Sequence, residues 1–456
     1  MTSVFKITVD FQNIIGKIKP VHGFNNAARK TGYGELLADF VDLHPPVIRL
    51  HDTCGFYGGA HYVDIPNVFP NFDADPENEA SYDFALTDAY IQPLIEAGMQ
   101  VMYRLGVTIE HAPKKYHVYP PKDPEKWANI CEHVVRHYND GWCNGHNWDI
   151  QYWEIWNEPD GLHPNIEPNG PPMWNGTAEE YYRLYTLTAN KIKNAHPDVK
   201  VGGYSSCYIL GAFTGERWTE GPTDYFTNFL SYISAPATKA PLDFFSYHGY
   251  LGRNYLGKIE KEYSFVKKTL HDFGFDATEI HDTEWNTNIG TYETQDKRTM
   301  YYINMRNNYG AAHAAGALYE MQRLGVDCAM FYDAQLWWEY GCLFHVPELK
   351  PTKTYYAFKQ FDRMYALQNA AAVTCPQGLY ACAATGGEDM LGVANVGDDD
   401  VPLTFDVPGS ARTRATLYET SADYTNEPVW SGSISELTAL QYTVKSNSFI
   451  TLCLND

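Results

Sequence analysis

Short apolar runs alternate with longer amphipathic stretches along most of the chain. Eight runs read as buried strands: Pro20–Phe24, Val47–His51, Gln100–Leu105, Ile150–Trp156, Val199–Tyr204, Leu242–Tyr247, Thr278–Thr283 and Asp327–Tyr332. Helix-like segments such as Pro124–Tyr138 and Ala178–Ala195 lie between them. Asp123 ahead of Pro124 marks a helix start, with proline in the first turn, where its missing N–H costs nothing. Eight strand-like runs interleaved with helices predict a (β/α)₈ barrel in preference to an open sheet.

The pattern changes after about residue 365. Shorter alternating segments follow: Leu379–Ala384, Met390–Val396, Val401–Phe405, Arg414–Glu419, Leu440–Val444 and Phe449–Leu454, with turns at Gly386–Gly387 and Gly397–Asp400. These predict an accessory antiparallel β-sandwich. Val4–Phe11 alternates in the same way and is expected to join it. The predicted division is a barrel over residues 16–362 and a sandwich over 1–15 plus 363–456. Two irregular stretches, about 52–82 and 158–176, follow barrel strands, where loops build active sites in this architecture.

Composition narrows the function. Lys plus Arg number 34 and Asp plus Glu 56, a formal net charge of −22. Such a chain repels nucleic acid and anionic membrane surfaces. No run of ~18 apolar residues predicts a membrane span, and the N-terminus lacks a basic-then-apolar leader pattern. The nine cysteines are odd in number and none is at CxxC spacing, which predicts reduced thiols and a cytoplasmic protein. Aromatics make up 15% of residues; such rings cover the apolar faces of sugars as well as filling cores.

Two strings carry chemistry. In Tyr152-Trp153-Glu154-Ile155-Trp156-Asn157-Glu158-Pro159-Asp160, a strand ends in Asn-Glu-Pro. That puts the Glu158 carboxylate at the C-terminal rim of the barrel, with Asn157 beside it to bond a sugar hydroxyl. In Asp282-Thr283-Glu284-Trp285-Asn286, a second carboxylate ends the seventh barrel strand. The plain alternatives are a strand-end glutamate without a role and a helix-start glutamate. Two carboxylates facing one ring are the machinery of glycoside hydrolysis: one must hold a proton for the leaving oxygen and the other must be ionised.

With these strings the chain resembles glycoside hydrolase family 39, clan-A retaining enzymes that include β-xylosidases and α-L-iduronidases. Arg49-Leu50-His51, Tyr247-His248-Gly249-Tyr250, Lys350-Pro351 and Tyr355–Phe358 extend the resemblance over most of the chain. It implies Glu158 as acid/base and Glu284 as nucleophile, with His51, Asn157, His248 and Tyr250 contacting the sugar or the nucleophile. It also implies no metal or cofactor, and it leaves room for a homo-oligomer. Arg49 is expected to hold a carboxylate in place through paired bonds, and Tyr250 to donate to Glu284; core packing is the plain reading of Arg49, His51 and Tyr250. The chain departs from the family where Asp52, not glycine, follows His51, and where the eighth strand reads Tyr332-Asp333-Ala334-Gln335 instead of showing a tryptophan. Trp337, Trp338 and Glu339 follow closely. Trp337 is expected to floor the sugar site, and Asp333 and Glu339 to hold hydroxyls, with ion-pair or surface roles as the alternative.

Other patterns are expected to be silent. His133 and His137 lie at i, i+4 on a helix, but Val134 stands where a zinc-protease glutamate would be, and solvated histidines are expected there. The expected activity is retaining hydrolysis of short β-xylosides, or related pentosides or uronides, by an exo-acting enzyme. An endo-acting glycanase and a non-catalytic sugar binder are the alternatives.

Overall fold

The computed structural model describes residues 4–31, 34–53, 61–110, 114–161, 173–214, 217–220, 224–250, 256–287, 299, 302–336 and 340–456. The N-terminal strand β1 (Phe5–Lys17) leads into eight strand–helix units. They are β2 (Gly23–Asn25) with α1 (Ala38–Val41), β3 (Val47–Leu50) with α2 (Ala85–Glu96), β4 (Gln100–Leu105) with α3 (Pro124–Asp140), and β5 (Tyr152–Ile155) with α4 (Ala178–Ala195). Then come β6 (Lys200–Ser206) with α5 (Asp224–Ser234), β7 (Phe244–Tyr250) with α6 (Gly257–Asp272), β8 (Glu279–Asn286) with α7 (Asn308–Leu324), and β9 (Cys328–Phe331) with α8 (Lys353–Leu367). Strands β2 to β9 pair in parallel and in sequence, and β9 closes on β2. The predicted barrel is present, with each of its eight strands where the apolar runs placed it.

Local chemistry sets the helix ends. The Asp123 side chain accepts from the Lys126 amide, and Gly141 at φ 75° ends α3 in a left-handed turn. Thr177 and Glu180 form a reciprocal capping box at the start of α4. Helix α7 is rich in alanine and glycine, and every residue from Gly310 to Met321 is buried, His313 and Glu320 included. Such a helix must be covered on all sides. The barrel covers one side and the second sheet the other.

That second sheet contains β10 (Asn369–Thr374), β11 (Leu379–Thr385), β12 (Asp389–Asn395), β13 (Val401–Asp406), β14 (Arg414–Thr420), β15 (Thr425–Ser433), β16 (Gln441–Val444) and β17 (Ser448–Asn455). With β1 they form one nine-stranded sheet, ordered β15-β14-β17-β12-β11-β10-β1-β13-β16. All its pairs are antiparallel except β1 with β13. The strand period of two divides its faces. Met390 and Ala394 of β12 join the barrel core, whereas Leu391 and Val393 join a second core. That second core contains Leu403 and Phe405 from near one edge and Leu417 from near the other, so the sheet curls over itself to enclose it. The sequence pattern does not reveal β10 and β15, whose burial is partial and uneven. Among the described residues, no helix is long and apolar enough to cross a membrane.

Candidate active site

The barrel interior is layered by the same period of two. Val47, Met102, Phe244, Cys328 and Met330 form an apolar floor. Two residues on along the strands, the buried side chains are Arg49, Arg104 and Ser246, level with Glu154 on β5. Two further again come His51 and His248. Arg49-x-His51 and Ser246-x-His248 therefore send both members of each pair inward.

Glu284 reaches the same layer by a different device. His281 pairs in register with Ser246 and stacks on Phe244, so it points inward. Asp282 pairs with Tyr247, but Glu284, not Thr283, pairs with His248. The extra residue is a β-bulge. It switches the strand's parity, which would otherwise turn Glu284 away from the interior. Glu158 lies three residues beyond β5 with φ 48°, held by its amide donating to Ser205 O at 3.1 Å.

Arg49 ties these elements together from a fully buried position. Its Nε donates to Glu154 Oε2 at 2.6 Å and its Nη1 to Glu284 Oε1 at 2.7 Å. Nη1 also donates to Asn25 Oδ1, and Nη2 donates to Asn157 Oδ1 at 2.7 Å and to Ser205 Oγ at 3.0 Å. The guanidinium thus spreads over two carboxylates instead of forking onto one. Burial opposes the Glu154 charge, but Arg49 outweighs it and holds this carboxyl below its usual range.

The other oxygen of Glu284, Oε2, accepts from the Tyr250 hydroxyl at 2.8 Å. Burial pushes the Glu284 carboxyl up, while His248 and Arg49 pull against it. His248 Nδ1 lies 2.7 Å from Glu158 Oε1 and 3.6 Å from Glu284 Oε2, between the two acids. Burial lowers its basicity, which favours the neutral ring. One donor atom each of Glu158, His248 and Glu284 lie within 4.8 Å of one another. Such a trio can hold a cation, but Arg49 already supplies the positive charge at Glu284. The Glu284 side chain is 6% exposed and that of Glu158 14%, so Glu158 is nearer solvent.

His51 is fully buried, and burial together with Arg49 and Arg104 pushes its imidazole well down. Arg104 Nε donates to its Nδ1 at 3.2 Å, which places the ring proton on Nε2, 3.7 Å from Glu284 Oε1. His51 Nε2 (3.3 Å from Asp52 Oδ1), Asn157 Nδ2 and His248 Nε2 are buried without a hydrogen bond among the described residues. Gly249 fits between His248 and Tyr250 because a Cβ there would stand 2.2 Å from Asp282 Oδ2.

The structure therefore brings Glu158, Glu284, Arg49, His51, Asn157, His248 and Tyr250 together. Asp333 is different: it is fully buried, and both its oxygens accept from Gln335. Burial raises its carboxyl to about 8. Trp337, Trp338 and Glu339 lie outside the described residues. The departure at Asp52 is accommodated by the Ile109 amide and the Tyr332 hydroxyl, which donate to its two oxygens at 2.9 and 2.8 Å. The silent helix pair needs correction: His133 and His137 are buried, not solvated. Glu154, Asn25 and Ser205 escape a motif reading. For Glu154 the usable signal is its inward parity with Tyr152 on β5; for Asn25 and Ser205 no local pattern marks them.

Comparison with known proteins completes the picture. The model of glycosyl hydrolases family 39 matches residues 61–304, which is 244 of the 456 residues. A beta-xylosidase of Geobacillus stearothermophilus is 24% identical over 255 residues, 49% of this chain and 45% of that protein. A beta-xylosidase of Caldicellulosiruptor saccharolyticus is 28% identical over 265 residues, 54% of this chain and 46% of that one. These matches span about half the length of both relatives. Over the whole chain the fold is similar to the crystal structure of a glucosidase from Croceicoccus marinus, at a TM-score of 0.76 and 20% identity, with all of both chains covered. With the family model covering more than half of it, the chain belongs to glycosyl hydrolases family 39.

Proposed function

We propose that this protein is a retaining glycosidase that works by double displacement, with Glu284 as nucleophile and Glu158 as acid/base. The observation that carries the proposal is the pairing at the rim. An oxygen of each carboxylate lies within 4.8 Å of the other, near the ~5–5.5 Å of retaining enzymes and short of the ~6.5–9.5 Å that an inverting pair leaves for water. Arg49 and the Tyr250 hydroxyl each stabilise the charged form of Glu284, which suits the attacking group. Glu158 is more exposed and has Nδ1 of His248, whose ring burial keeps neutral, 2.7 Å from its Oε1, which suits the group that exchanges a proton with the leaving oxygen and then with water. Sugar hydroxyls, which both donate and accept, would satisfy the buried nitrogens of His51, Asn157 and His248, since buried polar atoms are seldom left unpaired.

The names of the two beta-xylosidase relatives support a β-xyloside as the substrate; a related pentoside or uronide, and exo cleavage of short oligosaccharides, are part of the same proposal. The catalytic unit is the barrel, residues 16–362, and the accessory unit is 1–15 plus 363–456. None of the eight cysteines in the described residues is in a disulfide, which supports a reducing, cytoplasmic setting.

Glu284→Ala tests the assignment. The variant is expected to lose activity on aryl β-xylosides and, with azide present, to release a glycosyl azide of inverted configuration that NMR identifies. Absence of any glycosyl azide, with the variant folded, rejects Glu284 as the nucleophile.

A further inference from the structure

A second cluster of ligating side chains lies in the outer helical layer. Asp88 is in α2, His137 in the last turns of α3, and His146 in the turn leading into β5. One donor atom from each lies within 4.8 Å of the others. His137 Nε2 is 3.0 Å from Asp88 Oδ1, and His146 Nε2 is 3.3 Å from Asp88 Oδ2. Ligands of a tetrahedral ion with bonds of ~2.0–2.1 Å stand apart by similar distances.

The chemistry at His137 demands a positive charge. Its Nδ1 is 2.9 Å from the carbonyl oxygen of Trp142. A carbonyl cannot donate, so Nδ1 carries the ring proton. In a neutral ring that leaves a lone pair on Nε2, aimed at a carboxylate oxygen. The contact is attractive only if a proton lies between Nε2 and the Asp88 oxygen or Nε2 binds a metal ion. His146 meets the other oxygen of the same carboxylate, and its Nε2 lacks a hydrogen-bond partner among the described residues. No Lys or Arg among the described residues ion-pairs with Asp88. A single divalent ion engages both contacts at once, whereas protons alone need an imidazolium at His137 beside a neutral His146 whose Nε2–H faces Asp88 without forming a hydrogen bond. A backbone carbonyl fixing Nδ1–H while Nε2 faces the metal is also the usual way that proteins orient a histidine ligand.

The rings are held for this. His137, 1% exposed, stacks on Phe84 at 3.6 Å, and His146 stacks on Trp148 at 3.7 Å. The turn is folded back on the helix end by His146 N donating to His137 O at 2.7 Å and Gly141 N to His146 O at 2.8 Å. Gly145 is required there, since a Cβ would stand 2.1 Å from His137 O. Asp88 and His146 are only partly covered, at 24% and 27% side-chain exposure, so water can complete the coordination.

We propose that Asp88, His137 and His146 bind one divalent transition-metal ion of the zinc class, clamping α2 to the α3–β5 turn. Two imidazoles and one carboxylate favour such an ion over magnesium or calcium. His146 precedes β5 whereas Glu158 follows it, so the clamp is at the opposite end of the barrel from the proposed catalytic pair, and it is independent of the function proposed above.

The test is cobalt and zinc titration of the full chain after chelator treatment. The expected result is one equivalent of Co²⁺ per chain with the visible bands of a low-symmetry nitrogen–oxygen site, displaced by Zn²⁺, and a higher melting temperature with Zn²⁺. His146→Ala and Asp88→Asn should each remove the bands and the thermal shift, while Glu158→Gln keeps both. No stoichiometric binding by the wild type overturns the proposal and leaves a proton-held cluster. Binding that survives both substitutions, or that only Glu158→Gln removes, places the ion elsewhere and also overturns it.

Discussion

The two ends of the barrel solve one problem differently. At the rim, Glu158, His248 and Glu284 share a small volume with Arg49, a permanent cation that cannot be titrated away. In the outer layer, Asp88, His137 and His146 share an equally small volume with no Arg or Lys paired to the carboxylate among the described residues. Asp333 is a third case, buried beside Gln335 with neither arginine nor histidine in ion-pair contact among the described residues. A buried carboxylate must be neutralised or paired. Here a guanidinium serves the buried Glu284 and a proton the buried Asp333, while at the partly exposed Asp88 the proposed metal ion takes that part. What supplies the compensating charge decides whether the group can react, clamp or only fill space.

The sharpest contrast is in activity. Glu284→Ala should lower kcat on the order of 10⁶-fold, the scale of other nucleophile deletions. His146→Ala should leave kcat unchanged at a temperature where both proteins are folded, while abolishing the metal-dependent thermal shift. Initial rates on an aryl β-xyloside make the comparison.

Asp333 should reveal itself through pH. Its folded-state value of about 8 lies above the ordinary 3.8, so between these values the folded protein binds the extra proton. The stability it contributes is complete below about pH 4 and is lost as pH rises through about 8. At ~1.36 kcal/mol per pH unit, the loss approaches roughly 6 kcal/mol. Urea unfolding across this range should show the decline in the wild type and a flatter profile in Asp333→Asn. Parallel profiles would show that Asp333 ionises freely.

Arg49→Met should cost about 3–5 kcal/mol in the same assay, because it leaves Glu154 and Glu284 buried without their cation. A smaller loss would mean that the rim carboxylates are stabilised chiefly by their hydroxyl and amide donors. The mildest change is Tyr250→Phe. It removes one hydrogen bond to the charged form of Glu284, worth about 1.5–3 kcal/mol. In the proposed mechanism ionised Glu284 is the active form, and burial already raises its carboxyl. The acid limb of kcat/KM should therefore move to higher pH in the variant. An unmoved limb would separate Tyr250 from the nucleophile's ionisation.

How much of this is legible without coordinates differs by element. Barrel strands read well because burial on both faces makes them apolar runs, and α4 is recovered to the residue because its capping box and last helical residue are local signals. Strands β10 and β15 escape because uneven burial leaves no clean alternation. The rim glutamates are visible as strings, whereas the surroundings of His137 are not. Its neighbours Phe84, Asp88 and Trp142 come from separate elements, and only their packing turns an expected solvent-facing histidine into a buried one.

By itself the sequence determined the order of the barrel's strands and helices, most of the accessory sheet and the two acidic strings, because each is written in local periodicity or contiguous residues. Only the tertiary structure decided that Glu284 faces the interior, since the bulge before it reverses the parity that alternation alone would assign. It also decided that Arg49 divides its charge between Glu154 and Glu284, residues 105 and 235 positions away. Side-chain direction in a bulged strand and the sharing of one buried cation are set by partners distant in the chain, and no window of sequence contains them.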